Sequence, residues 1–139
     1  MSVDSAGMAA RLGIKPGMVV QELGWDEDAD EDLRDSIVEV SGSEMVDEDT
    51  DEVADVVLLW WREDDVDLVD ALVDAIAALA DDGVVWLLVP KSGRPGHVEP
   101  GDVTEVAPTA GLSQTSSVSA AKDWSGIRLV SPKTARNRR

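Results

Sequence analysis

The chain has 139 residues, enough for one domain. It has no cysteine, which excludes disulfides, thiolate catalysis and cysteine-ligated metals. Its net charge of −17 works against binding to nucleic acid or to acidic membrane surfaces. The apolar fraction is 43% with no Phe or Tyr, so Val, Leu, Ile, Ala and five Trp must build the core. No apolar run reaches the ~20 residues that span a bilayer. Residues Met1 to Gly7 have neither the basic region nor the apolar core of a secretory signal. A cytoplasmic protein is expected.

The charge is unevenly placed. Glu22 to Asp82 holds 24 acids against two bases, Arg34 and Arg62, a local charge of −22; Gly83 to Arg139 is +4. Such a face either solvates the protein or docks a basic protein surface.

In chain order, Met1 to Gly7 reads as a flexible start, and 8–132 as a single α/β domain. Met8 to Leu12 can form one helical turn. Lys15-Pro16-Gly17 is a turn signal, after which Met18 to Leu23 reads as a short strand ending at Gly24. The acids Asp26 to Asp32 precede a helical pattern at Leu33, Ile37, Val38 and Val40, with Asp28 or Asp30 as cap and Gly42 as stop. Glu44 to Asp47 is a weak edge strand, followed by an acidic loop. Val56 to Trp61 is apolar throughout, as expected of a central parallel strand covered on both faces. Trp60 and Trp61 should point to opposite faces.

The next pattern predicts a helix whose buried stripe is Val69, Leu72, Val73, Ile76 and Leu79, ended by Gly83. Val84 to Val89 is a second buried strand. It leads into a Gly/Pro-rich loop, Lys91-Ser92-Gly93-Arg94-Pro95-Gly96-His97. A short helix follows at about Pro100 to Ala107, then two late strands, Gln114 to Ala120 and Gly126 to Ser131, with Trp124 in the turn between them. Lys133 to Arg139 reads as a basic disordered tail. Strand–helix–strand repetition with a terminal hairpin predicts a three-layer open sheet, mostly parallel, with right-handed crossovers. The expected order is 2-1-3-4-6-5, numbering six strands along the chain.

Leu12 to Gly24 resembles the opening of class I methyltransferases, where a Leu–x–Pro–Gly turn leads into the first strand and a Gly-rich nucleotide loop. The hairpin fits the same fold. The chain is more similar still to the DUF3052 family of small bacterial proteins. That resemblance rests on Leu12 to Gly17, Val84 to Lys91 and Trp124 to Val130. Gly24-Trp25-Asp26-Glu27-Asp28 and Val57 to Arg62 resemble its actinobacterial branch. It implies a methyltransferase-like fold and leaves function open. The methyltransferase likeness implies S-adenosylmethionine, but here Gly24 is followed by Trp25 and Asp26, a bulky and negative loop. No cofactor is expected.

In open α/β sheets ligands bind at the carboxyl edge, where strand order reverses. The expected order puts Gly24, Trp25, Trp61, Arg62 and Lys91 at or near that place, and Lys91 and Arg94 offer charge for an anion. These six are the ligand-binding candidates. Asp26, Asp28, Asp30, Glu48, Asp49 and Asp51 are the candidates for an acidic interaction face. Asp26, Asp28 and Asp30 have calcium-loop spacing, but the sixth and twelfth positions hold Glu31 and Ile37, which excludes an EF-hand. No metal site is expected. His97 stands in a loop without a nucleophile beside it, so no catalytic residue is assigned.

Overall fold

The computed structural model describes residues 9–130 apart from 48, 50, 51, 64–66, 78 and 95; at 81, 82 and 100 it describes the backbone alone. The expected flexible start at 1–7 and the basic tail at 133–139 lie outside the described residues. Five strands form one sheet: β1 (Val20–Leu23), β2 (Ala54–Trp60), β3 (Leu79–Pro90), β4 (Ser113–Ser119) and β5 (Trp124–Val130). The helices α1 (Glu31–Ser41), α2 (Leu68–Ile76) and α3 (Pro100–Val106) cover it, and a 3-10 turn at Ala107–Ala110 extends α3.

The spatial order is β1-β2-β3-β5-β4. β1, β2 and β3 run parallel, while β5 enters antiparallel between β3 and β4. The weak strand expected at Glu44 to Asp47 is reduced to a single parallel bridge, Gln21 to Val46, outside β1. With that bridge counted, the strand order is the one the sequence predicts.

β2 is central because it has no polar face. Val57 and Leu59, with Trp61 just beyond the strand, enter the core layer under α2 and α3. Val56, Leu58 and Trp60 enter the opposite layer with Leu33 and Ile37 of α1. Both Trp60 and Trp61 are buried, on opposite faces. Each fully buried Leu or Val of this kind contributes about 1.5–3 kcal/mol. Two parallel neighbours and two covering layers leave a single register, and that register fixes where the ends of β1 and β2 meet.

α1 starts and stops as its sequence demands. The Asp30 carboxylate accepts from the Leu33 amide at 2.8 Å, and Gly42 closes the helix in the left-handed region. α2 departs in part from the predicted stripe. Leu72 is buried and Val69, Ile76 and Leu79 pack against the same core as predicted, but Leu68, Ala71 and Ala75 join them and Val73 is exposed. The helix also ends at Ile76, and Leu79 already pairs with Ala54 as the first residue of β3. Gly83 is therefore inside a strand and does not stop the helix. A Cβ there would lie 2.6 Å from Leu79 Cδ1 and 3.0 Å from the Asp55 carbonyl, so the strand passes closely over its neighbours at an irregularity in the β2–β3 register. Trp124 is likewise a buried strand residue of β5, not part of the turn.

Candidate functional site

The strand order reverses between β1 and β2. From β1 the chain passes to the Val46 bridge on one side, then crosses to β2 on the other. The carboxyl ends of these two strands bring Gly24 and Arg62 together. The Arg62 guanidinium donates to the Gly24 carbonyl at 2.8 Å and grips Asp28 with two nitrogens, Nε to Oδ2 at 3.1 Å and Nη2 to Oδ1. It also lies over the Trp124 ring, 5.2 Å from its centroid. The Arg62 side chain is only 12% exposed. The hydrogen bond from Arg62 holds the Asp28 carboxyl below its ordinary range, against a smaller opposing effect of partial burial.

Trp124 locks the same loop from the other side. Its indole donates to the Asp28 carbonyl at 3.2 Å, and its ring meets Trp60 edge-on at 4.8 Å. Gly24 has a positive φ of 75°, and a Cβ there would collide with the Trp60 carbonyl. The space that a glycine leaves free is taken by the protein's own backbone.

A second knot is centred on Glu22, one turn of strand earlier. Its carboxylate, 9% exposed, accepts Arg34 Nε at 2.6 Å, Arg34 Nη2 at 2.8 Å and the Trp60 indole at 2.9 Å. Arg34 reaches Glu31 as well, at 2.9 Å, and its pKa is raised, first by the hydrogen bond to Glu22. Trp25 does not plug the crevice. It turns outward, half-exposed, with Arg34 5.6 Å from its ring centre and its indole donating to Glu31 at 3.4 Å. Glu22, Gly24, Trp25, Arg34 and Asp47 line a shallow cleft of about 490 Å³.

The other ligand-binding candidates lie elsewhere. Trp61 is buried in the layer under α2, with its amide on the Leu88 carbonyl. Lys91 Nζ donates to Ser119 Oγ at 2.6 Å, and Arg94 pairs with Asp123 at 3.4 Å, so both cations turn to the hairpin. His97 shares that side, with Nδ1 3.0 Å from the Pro90 carbonyl and Nε2 3.4 Å from Glu99. The Gly96 region packs on the Arg62 stem, where an added Cβ would stand 3.0 Å from Arg62 Cβ.

Of the acidic-face candidates, Asp28 is tied to Arg62 and Asp30 caps α1. Asp26 is exposed and accepts the Glu27 amide at 2.7 Å; the exposed Asp49 donates its amide to Asp47 Oδ1 at 2.9 Å. Glu48 and Asp51 lie outside the described residues. Among the described residues no three His, Asp or Glu gather to hold a metal. Sequence reasoning missed Glu22, Arg34 and Asp123. The one usable signal was that Arg34 and Arg62 are the only bases in a stretch of 24 acids, and each is consumed there in an ion pair.

The residues at this edge do not fit S-adenosylmethionine. A cradle for it needs open backbone amides beside small residues, whereas Gly24 is pressed on Trp60 and followed by Trp25 and Asp26, and the Arg62–Asp28 pair crosses the crevice.

A family model described as "Protein of unknown function (DUF3052)" matches residues 9–133. Uncharacterised proteins of Mycobacterium tuberculosis (strain ATCC 25618 / H37Rv) and Mycobacterium bovis are each 56% identical over 135 residues, covering 97% of this chain and 85% of theirs. Among solved structures, a SAM-dependent methyltransferase from Aquifex aeolicus superposes with a TM-score of 0.62 at 14% identity, over 91% of this chain and 88% of that one. The 1,6-didemethyltoxoflavin-N1-methyltransferase of Burkholderia thailandensis gives 0.60 at 16% identity, over 90% and 75%. At such identities the likeness is one of fold.

Proposed function

Because the chain belongs to the DUF3052 family, proteins of unknown function, and carries a methyltransferase-like sheet, we propose that it is a non-catalytic interaction module whose acidic edge docks a basic protein surface. The observation that carries this reading is the Arg62–Asp28 pair over Gly24. It fills the reversal point with the protein's own side chains. What remains outside is Trp25, half-exposed beside Asp26, Glu27 and Glu31. An exposed Trp with an acidic rim suits a Lys- or Arg-bearing partner, since Trp anchors interfaces and its ring face attracts cations. The absence of cysteine, together with described helices too short and polar to cross a membrane, supports a cytoplasmic setting. The mycobacterial relatives support an actinobacterial source.

Capture of partners on the immobilised protein tests the reading. A partner retained at ~0.05 M salt should be released at ~0.5 M, and Trp25→Ala should weaken retention roughly tenfold. Capture indifferent to salt or to Trp25 overturns it. The 490 Å³ cleft favours a second reading, a nucleotide or organic acid held between Trp25 and Arg34. A thermal shift with such a ligand that is lost in Trp25→Ala would support that reading instead.

A further inference from the structure

We propose that β4 is a self-association edge, at which two copies pair their Ser113–Ser119 strands antiparallel across a two-fold axis. This is independent of the acidic edge, which lies at the other end of the sheet. β4 pairs with β5 on one side, and no described strand lies on its other side. It is seven residues long, and all but Val118 are exposed. An open edge of this length is ordinarily blunted by Lys, Glu, Asp or Pro. β4 itself has none: it reads Ser-Gln-Thr-Ser-Ser-Val-Ser, in a chain with 29% charged residues, and a cation reaches it at its end, where Arg11 donates to the Ser119 carbonyl at 2.9 Å. Its one irregularity is the register shift between Gln114 and Ser116.

Charge identifies the occupant as a second copy. A chain of net −17 repels itself everywhere except where its local charge vanishes. Residues 91–130, which include β4, β5 and their surroundings, hold four bases and four acids. Most acidic residues of 22–82 are carried by β1, α1 and the loops up to β2; Asp70 and Asp74 lie on α2, and Asp81 and Asp82 in β3. The sheet order puts β1 four strand spacings from β4, roughly 19 Å, or about two Debye lengths at 0.1 M salt. Pairing β4 to β4 therefore turns both acidic edges outward. A basic or acidic peptide would gain nothing from this neutral edge.

The sequence is also self-complementary. With Ser116 on the axis, Thr115 meets Ser117, and Ser113 meets Ser119 of the second copy, so no like charges are opposed; the Thr115 and Ser119 hydroxyls keep their bonds to Arg128 and Lys91. Beside β4 on the α3 face runs a groove of about 320 Å³ with Val89, Val98 and Ile127 in its wall. Two strands of this length fall in the small-interface class, below ~1,200 Å², so the dimer is weak and concentration-dependent.

Sedimentation velocity over a concentration series tests the proposal. The wild type should pass from monomer to dimer, and raising salt should tighten the dimer, because it screens like net charges. Ser117→Lys puts two cations diagonally across the axis and should raise the dissociation constant at least about tenfold. Ser117 is exposed, so the fold tolerates this change. Amide exchange in β4 of the wild type should slow as concentration rises. A wild type that stays monomeric throughout overturns the proposal. So does a dimer that Ser117→Lys leaves intact or that salt loosens.

Discussion

The Asp28 side chain is 56% exposed, yet its carboxylate is ordered by a guanidinium that is itself almost covered. Its lowered pKa makes the pair a contributor to stability with a defined pH window. The folded value lies below that of the unfolded chain, about 3.9. The contribution is therefore complete above that value and is lost as pH falls through the folded one. Asp28→Asn should cost about 1 kcal/mol at neutral pH, a figure kept small by the exposure of the carboxylate. It should also flatten the loss of stability as pH falls below the ordinary carboxylate range. Urea denaturation across that range checks both; an unchanged acid limb would remove Asp28 from the account. None of this was legible in the sequence. Asp28 is one of a run of acids, and its partner is 34 residues away. What could be read was the neighbourhood. Strand order alone brought Gly24 and Arg62 to one edge, and period two sent Trp60 and Trp61 to opposite faces.

Among the elements, the end of β1 is the least forgiving. Gly24 and Gly42 both have positive φ, 75° and 86°, but an added Cβ meets the Trp60 carbonyl at Gly24 and nothing within 4 Å at Gly42. Gly42→Ala should cost about 1–2 kcal/mol for the left-handed backbone alone. Gly24→Ala adds a collision with main chain and should cost roughly 3 kcal/mol or more. Equal losses in thermal denaturation would mean that the β1–β2 approach is looser than described. The helices show why local reading succeeds in one place and fails in another. α1 carries its own punctuation, Asp30 and Gly42. α2 has no stop between Ile76 and Gly83; Ala77-Ala78-Leu79-Ala80 favours helix by propensity, but pairing of Leu79 with Ala54 draws Leu79 and Ala80 into β3. Propensity lost there to a long-range contact that no local window contains.

For the whole molecule, the excess of negative charge is a standing load on the compact state. Raising salt from about 0.01 to 0.5 M should lift Tm by roughly 5 °C, measured calorimetrically on dilute protein. A fall in Tm would show that the Arg34 and Arg62 ion pairs outweigh the repulsion around them. The topology was legible because two fully apolar runs demanded covered parallel strands, and right-handed crossovers left few ways to connect them. The bridge at Val46 in place of a strand was not, since only Met45 and Val46 are apolar there. The position of β5 also has a kinetic meaning. β4 is synthesised first, yet the strand that must lie between it and β3 follows it in the chain. Until residue 130 has left the ribosome, β4 lacks β5, its one strand neighbour among the described residues, and the Asp28 carbonyl lacks the Trp124 indole that arrives 96 residues later. Contacts of such sequence separation close slowly, because the intervening chain must be ordered before they form. The nascent chain can build β1, β2 and β3 in sequence, but its first loop is fastened by nearly its last strand.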